Sequence, residues 1–114
     1  MAQVEIDLEN MKTTNLRVIA AVAHGSVPGA ESSMLKIRGT EIRQEILSLI
    51  RRAMGPYALP FIEAAQYEGY ADAPVGPKEA ATAAANYFNY RKLSIFGGSN
   101  EIQKNIISKM ILGL

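Results

Sequence analysis

Side chains able to move protons near neutral pH are scarce in this sequence. It has one histidine, His24, and no cysteine, so thiolate metal sites, thiol nucleophiles and disulfides are excluded. His24 has no Asp, Glu or Ser adjacent to it, and at the expected end of a first helix it reads as a dipole partner or a plain surface residue rather than a catalytic base. Glu41 and Glu45 stand one helical turn apart, where they could hold a cation or pair with Arg38 and Arg43; solvated charge on an exposed face is the plainer reading. No His-x-x-x-His, Glu-x-x-His or Asp-rich calcium loop occurs, so no metal site is expected. The informative stretch is Ser94 to Gln103, SIFGGSNEIQ. A Gly-Gly break before a capped helix presents free backbone N–H groups at the positive end of a dipole, a site for an oxyanion, a carbonyl or a phosphate. The same break also serves as a plain tight corner.

Helices must position that corner. From about Ala2 to His24, Val4, Leu8, Met11, Val18 and Val22 recur at helical spacing, predicting an amphipathic helix that Gly25 ends. Thr14 and Asn15 fall near its apolar stripe as satisfied polar groups. After the loop GSVPGA, Ser32 or Ser33 is expected to cap a second helix running to about Met54. Its apolar residues form two rows, Leu35, Ile42, Ile46, Leu49 and Ala53, with Leu47, Ile50 and Met54 beside them. Gly39, on the first row, marks a close approach of another backbone. Gly55-Pro56 ends this helix. Tyr57 to Pro77, rich in Pro, Gly and Tyr, reads as an irregular connection with at most a short helix near Leu59 to Gln66. Lys78 to Leu93, containing EAATAAA, restarts as helix. A last helix begins at Ser99 or Asn100, with Asn100 and Gln103 as a capping pair and broad apolar rows from Ile102 to Leu114.

No strand signal accompanies these four helices, so the fold class is all-α, an antiparallel (up-down) four-helix bundle over residues 1–114. The chain of 114 residues is 48% apolar and 20% charged, with 12 Lys+Arg against 11 Asp+Glu, net +1. That balance gives no electrostatic footprint for nucleic acid or an anionic membrane, although NYFNYRK interleaves aromatic and basic residues. No apolar run approaches the roughly 20 residues of a membrane span, and the acidic start carries no visible address. A soluble, cytoplasmic chain is expected. Wide apolar arcs on the second and fourth helices predict surface left over for other chains, as in a homo-oligomer.

The end SIFGGSNEIQKNIISKMILGL resembles the last segment of acyl-CoA dehydrogenases, in which an aromatic residue, a small or acidic residue, Gly, Ser or Thr and then N-E-I-Q lead into the final helix. SSMLKIRGTEIRQEI and LENMKTTNLRVIAA resemble two earlier helices of the same C-terminal domain, in the same order. The resemblance implies the C-terminal helical domain of an FAD-dependent flavoprotein, with the family's N-terminal helical and middle β domains outside this chain. It implies an acyl-CoA substrate oxidised to the 2,3-enoyl-CoA, an electron-transfer acceptor, and dimeric or tetrameric assembly. By the same resemblance, Gly97 and Gly98 are substrate-contacting and Phe96 lies against the thioester. The Gly97 backbone N–H joins a flavin ribose hydroxyl in polarising the thioester carbonyl, and Ser99, Asn100 and Glu101 match the segment that touches FAD.

Two departures accompany it. Many members carry the catalytic glutamate where this chain has Gly97, so no catalytic side chain is expected here. Tyr67-Glu68-Gly69 imitates the missing motif, but TyrAlaAspAlaPro follows it rather than a capped helix. Other branches carry the base on an earlier helix, and some subunits of heteromeric members have none. The glycine-rich segment that meets a neighbouring subunit's flavin is replaced by ATAAANYF. The expectation is a fragment inactive alone that supplies a backbone corner and oligomer packing; the alternative is a non-catalytic oligomerisation module or a base-less subunit of a heteromeric assembly.

Overall fold

Two stripes of alternating three- and four-residue steps organise the protein, and both mix polar with apolar residues. A computed structural model describes residues 1–70, 72 and 75–114. Its elements are α1 (Ala2–Ala23), α2 (Glu31–Met54), α3 (Ala83–Asn89) and α4 (Asn100–Leu112), with short 3₁₀ turns and no strand among the described residues. The all-α class with four helices therefore stands. None of these helices is long and apolar enough to cross a membrane. Within the irregular connection, Ala71, Ala73 and Pro74 lie outside the described residues. By contact density the chain divides into two units, residues 1–42 with 92–114 and residues 43–91.

In the first unit, α1 ends as its glycine dictates. Gly25 adopts φ +88°, its N–H donates to Val22 O and that of Ser26 to Ala21 O, the paired bonds of a left-handed helix stop. His24 is the exposed C-cap residue, which fits the surface reading. The half-buried residues of α1 are Val4, Asp7, Met11, Thr14 and Val18. Leu8 and Val22, expected on the buried stripe, are exposed instead. Polar residues take their places because each has a partner. Asp7 meets Arg38 of α2 at 3.0 Å, and Thr14 Oγ1 donates to Asn10 O at 2.9 Å. Asp7, early in α1, meets Arg38, and Val18 and Val22, later in α1, lie beside Glu31 and Met34 at the start of α2, so α1 and α2 are antiparallel neighbours.

α2 starts earlier than Ser32 or Ser33 would place it. Met34 N–H already donates to Ala30 O, so Ala30 occupies the entry and Ser33 is buried inside the first turn. What sits over Gly39 is Met11, its Sδ 3.5 Å from where a Cβ would stand; a side chain rather than a backbone uses the space. Arg38 also bonds Glu41 at 2.6 Å, whereas Glu45 makes no ion pair among the described residues. The fully buried positions of this helix are Ser33, Ile37, Thr40, Ile42 and Leu47. Ala53 and Ile50, placed on the apolar rows by type, are exposed.

In the second unit α2 ends at Gly55, φ +54°, and Pro56 opens a 3₁₀ turn, Gly55–Ala58. The expected helix from Lys78 to Leu93 is divided into a 3₁₀ turn (Lys78–Thr82), α3, and a 3₁₀ turn (Tyr90–Ser94) that continues into the first unit. Tightening to three residues per turn stacks i and i+3. Ala80 and Ala81 of the turn Lys78–Thr82 and Ala83 and Ala84 at the start of α3 are all buried, as is Ala58 in the 3₁₀ turn that packs against Lys78–Thr82. The aromatic and basic residues of NYFNYRK are used internally. Arg51 and Arg91 lie 4.8 and 4.2 Å from the Tyr87 ring centroid, and Arg43 lies 4.9 Å from that of Tyr90, so Arg43 faces an aromatic ring rather than Glu45.

Among the four helices, α1 and α4 carry most of the exposed large apolar residues, while others such as Leu59, Phe61 and Phe88 lie outside those two. Ile6, Leu16 and Ile19 of α1 and Ile102, Met110, Ile111 and Leu112 of α4 are exposed. On α2 the large apolar residues exposed are Met34 and Ile50, with the small Ala53, so the expected second exposed face belongs to α1 instead. α2 is the helix whose sides are taken up in both units.

Candidate functional site

The corner between Leu93 and α4 is built almost wholly from backbone. The N–H groups of Ile95 and Phe96 both donate to Lys92 O, at 2.9 and 3.1 Å, finishing the 3₁₀ turn. Gly97 and Gly98 then take φ +71° and +83°. Two successive left-handed residues cost any side chain about 1–2 kcal/mol each, which is why the chain has glycine at both. Ser99, with φ −61° and ψ 159°, returns to extended backbone as the N-cap of α4, and its Oγ accepts from Ile102 N at 3.3 Å. The cap is thus Ser99. Asn100 and Gln103, expected as a capping pair, have other partners because Asn100 is already the first helical residue. Gln103 Nε2 reaches back to Gly97 O at 3.4 Å, and Asn100 Oδ1 accepts from Lys36 Nζ at 2.9 Å.

Lys36 carried no mark in the sequence. Its ammonium also donates to Leu93 O at 3.2 Å, and Thr40 Oγ1, one turn further along α2, adds a bond to the same carbonyl at 3.4 Å. The signal that could have found the pair is a lysine and a threonine four apart on a helix bearing apolar rows.

The six residues singled out by sequence, Phe96 to Glu101, therefore form one continuous surface. Phe96, Gly97, Gly98 and Glu101 are exposed, while Ser99 and Asn100 are half-buried. Nothing lies within 4 Å of a Cβ built on Gly97, whereas one on Gly98 would meet Gln103 Nε2 at 2.5 Å. Neither glycine N–H donates to a backbone acceptor among the described residues. The Lys92 ammonium stands 5.8 Å from the Phe96 ring centroid. Such a corner can donate hydrogen bonds to a carbonyl or oxyanion brought against its open side.

Glu101 is the nearest carboxylate in the sequence to that open side. Its own backbone N–H holds its carboxyl below the usual glutamate range, with the Ser99 hydroxyl next and the Lys104 and Lys36 ammoniums adding a little. A carboxylate so stabilised is a weak proton acceptor. Glu68 sits in an exposed turn before Gly69, φ +91°, in the second unit, and among the described residues the next helical element begins only at Lys78.

No curated protein and no solved structure matches the chain. The family model described as acyl-CoA dehydrogenase, C-terminal domain, matches residues 1–112. With nearly its whole length inside that match, the chain belongs to the acyl-CoA dehydrogenase family and represents the family's C-terminal domain.

Proposed function

We propose that this chain serves as the C-terminal domain of an FAD-dependent acyl-CoA dehydrogenase that oxidises an acyl-CoA thioester to the 2,3-enoyl-CoA. On this reading the family's N-terminal helical and middle β domains lie outside the sequence, and the chain is inactive alone. The observation that carries the reading is the Gly97–Gly98 corner, with left-handed backbone, an open flank at Gly97 and N–H groups without a backbone acceptor, set directly before a Ser99-capped helix.

The residues present fit part of FAD better than the whole of it. Glu101 is an exposed anion, so it suits hydroxyl or N–H groups and repels a pyrophosphate. Asn100 keeps its amide N–H₂ available while its oxygen is taken by Lys36. Ser99, Asn100 and Glu101 would therefore hold the hydroxyl-bearing or ring portion of the cofactor. Bound FAD would supply the hydride acceptor for the substrate β-carbon.

The chain's own part in the chemistry is electrostatic. As the α-proton leaves, charge grows on the thioester oxygen, and an N–H preorganised at Gly97 stabilises that charge by several kcal/mol without reorganising. Phe96 offers an apolar edge against which a thioester can lie. The base would come from elsewhere in the protein, since Gly97 stands in the usual glutamate position. Exposed apolar residues of α1 and α4 support packing in a dimer or tetramer.

The same exposed faces favour the second reading, an assembly module or base-less subunit. Gly97→Val in the intact protein separates the two, because its side chain fills the open flank at Gly97. The first reading expects turnover per assembled flavin site to fall at least tenfold with acyl-CoA and an artificial acceptor. Altered assembly with unchanged turnover per site favours the second.

A further inference from the structure

We propose that Lys36 is a positioning residue for the Gly97–Gly98 corner, its ammonium closing the mouth of the loop that carries it. The bonds to Leu93 O and Asn100 Oδ1, 3.2 and 2.9 Å, bring those two acceptors to within about 6 Å of each other. Seven residues of extended chain would separate them by about 24 Å. The segment between them, which holds Phe96, both glycines and Ser99, is thus a loop whose two ends meet at one side chain of α2.

Three features make this a clamp rather than an incidental contact. First, the ammonium has no carboxylate partner among the described residues, so its donors are spent on the loop. Second, the buried Thr40 shares its single hydroxyl proton between Lys36 O at 2.9 Å and, more weakly, Leu93 O at 3.4 Å, which sets the loop carbonyl beside the turn of α2 that bears the clamp. Third, the anchored groups are the Leu93 carbonyl within the 3₁₀ turn Tyr90–Ser94 and the first residue of α4, so both flanks are held while the glycines between them touch nothing that would hold them, apart from the Gln103 contact at Gly97 O. Charge-assisted bonds of this kind are stronger than neutral ones. Glycines without such an anchor would sample many conformations, and a displacement of about 1 Å in a reacting group can cost a hundredfold in rate.

The catalytic meaning of this inference rests on the reading that the corner meets the thioester; the clamp itself does not. Lys36→Met keeps the stem and removes the donors, and Lys36→Arg keeps a charged donor. In the intact protein, hydrogen exchange of the Ile95, Phe96 and Ile102 amides, which bond at the loop edges, is expected to quicken about tenfold in Lys36→Met. It should stay within about threefold of the parent in Lys36→Arg, with α1 amides unchanged in both. Unchanged exchange in folded Lys36→Met overturns the proposal, as does a loss of turnover without faster loop exchange. Where Lys36→Met does not fold, Asn100→Ala removes one anchor alone and is held to the same criterion. Turnover with acyl-CoA, counted per bound flavin, then tests the reading beneath it. A fall in kcat larger than the rise in KM, rescued by Arg, supports a positioned corner; faster exchange with undiminished turnover leaves the clamp standing and sinks the corner's catalytic role.

Discussion

Glu101 shows how one exposed side chain reports on the corner. Its carboxyl is held below the usual glutamate range, first by its own backbone N–H and then by the Ser99 hydroxyl, both at the start of α4. A carboxyl whose pKa is lower folded than unfolded stabilises the fold fully above the unfolded value. That contribution disappears as pH falls from there through the lowered value. Because the group is exposed the effect is small, and its sign is the test. Comparing parent with Glu101→Gln in thermal melts, the stability difference should hold constant from neutral pH down to the ordinary glutamate range, then shrink to nothing as the pH drops further. Carboxyl NMR should place the Glu101 midpoint below that range. A midpoint at or above it would mean the carboxylate is not held at the helix start, and the polar character assigned to this end of the site would be wrong.

At the scale of elements, what the sequence made legible was what backbone chemistry decides locally. The Gly25 stop, the Gly55 stop, the Gly-Gly corner and the start of α4 all follow from glycine's freedom at positive φ and from short polar caps. Less legible was anything requiring a partner. The stripe Val4, Asp7, Met11, Thr14, Val18 repeats as cleanly as an apolar one, yet its polar members are recognisable only once Arg38 faces Asp7. Thr40 can be buried because its hydroxyl donates to Lys36 O one turn back, with Leu93 O, far away in sequence, as a second and longer acceptor of the same proton. The alanine run reads as one helix by propensity, whereas it is divided into a 3₁₀ turn and α3 with Ala80, Ala81, Ala83 and Ala84 buried across the join. By residue type Ser99 and Asn100 both suit the cap of α4, and geometry assigns it to Ser99, whose Oγ accepts from Ile102 N–H. Ser99→Ala should therefore cost about 1 kcal/mol in denaturant unfolding and Ser99→Thr much less. Equal losses from both would show that the cap bond contributes nothing to α4.

At the scale of the whole molecule, scarcity of chemistry and surplus of apolar surface belong together. One histidine and no cysteine leave the chain few proton carriers near neutral pH, and the corner it does possess is a set of N–H donors beside one carboxylate held below the usual glutamate range. Backbone donors polarise a carbonyl only when something else holds the substrate and takes its proton. Meanwhile Ile102, Met110, Ile111 and Leu112 along α4, and Ile6, Leu16 and Ile19 on α1, leave large apolar side chains exposed. Both facts are accounted for if the chain works inside a larger flavoprotein, which covers these faces and supplies the base and most of the cofactor's contacts. The 114-residue chain by itself should then fold as a helical protein yet retain no flavin through gel filtration and reduce no dye with acyl-CoA. Absorbance of the eluted peak in the flavin band, beside its helical circular dichroism, reads both expectations in one preparation. Stoichiometric flavin on the folded isolated chain would show that this domain holds the cofactor unaided, and the division of labour argued here would fail.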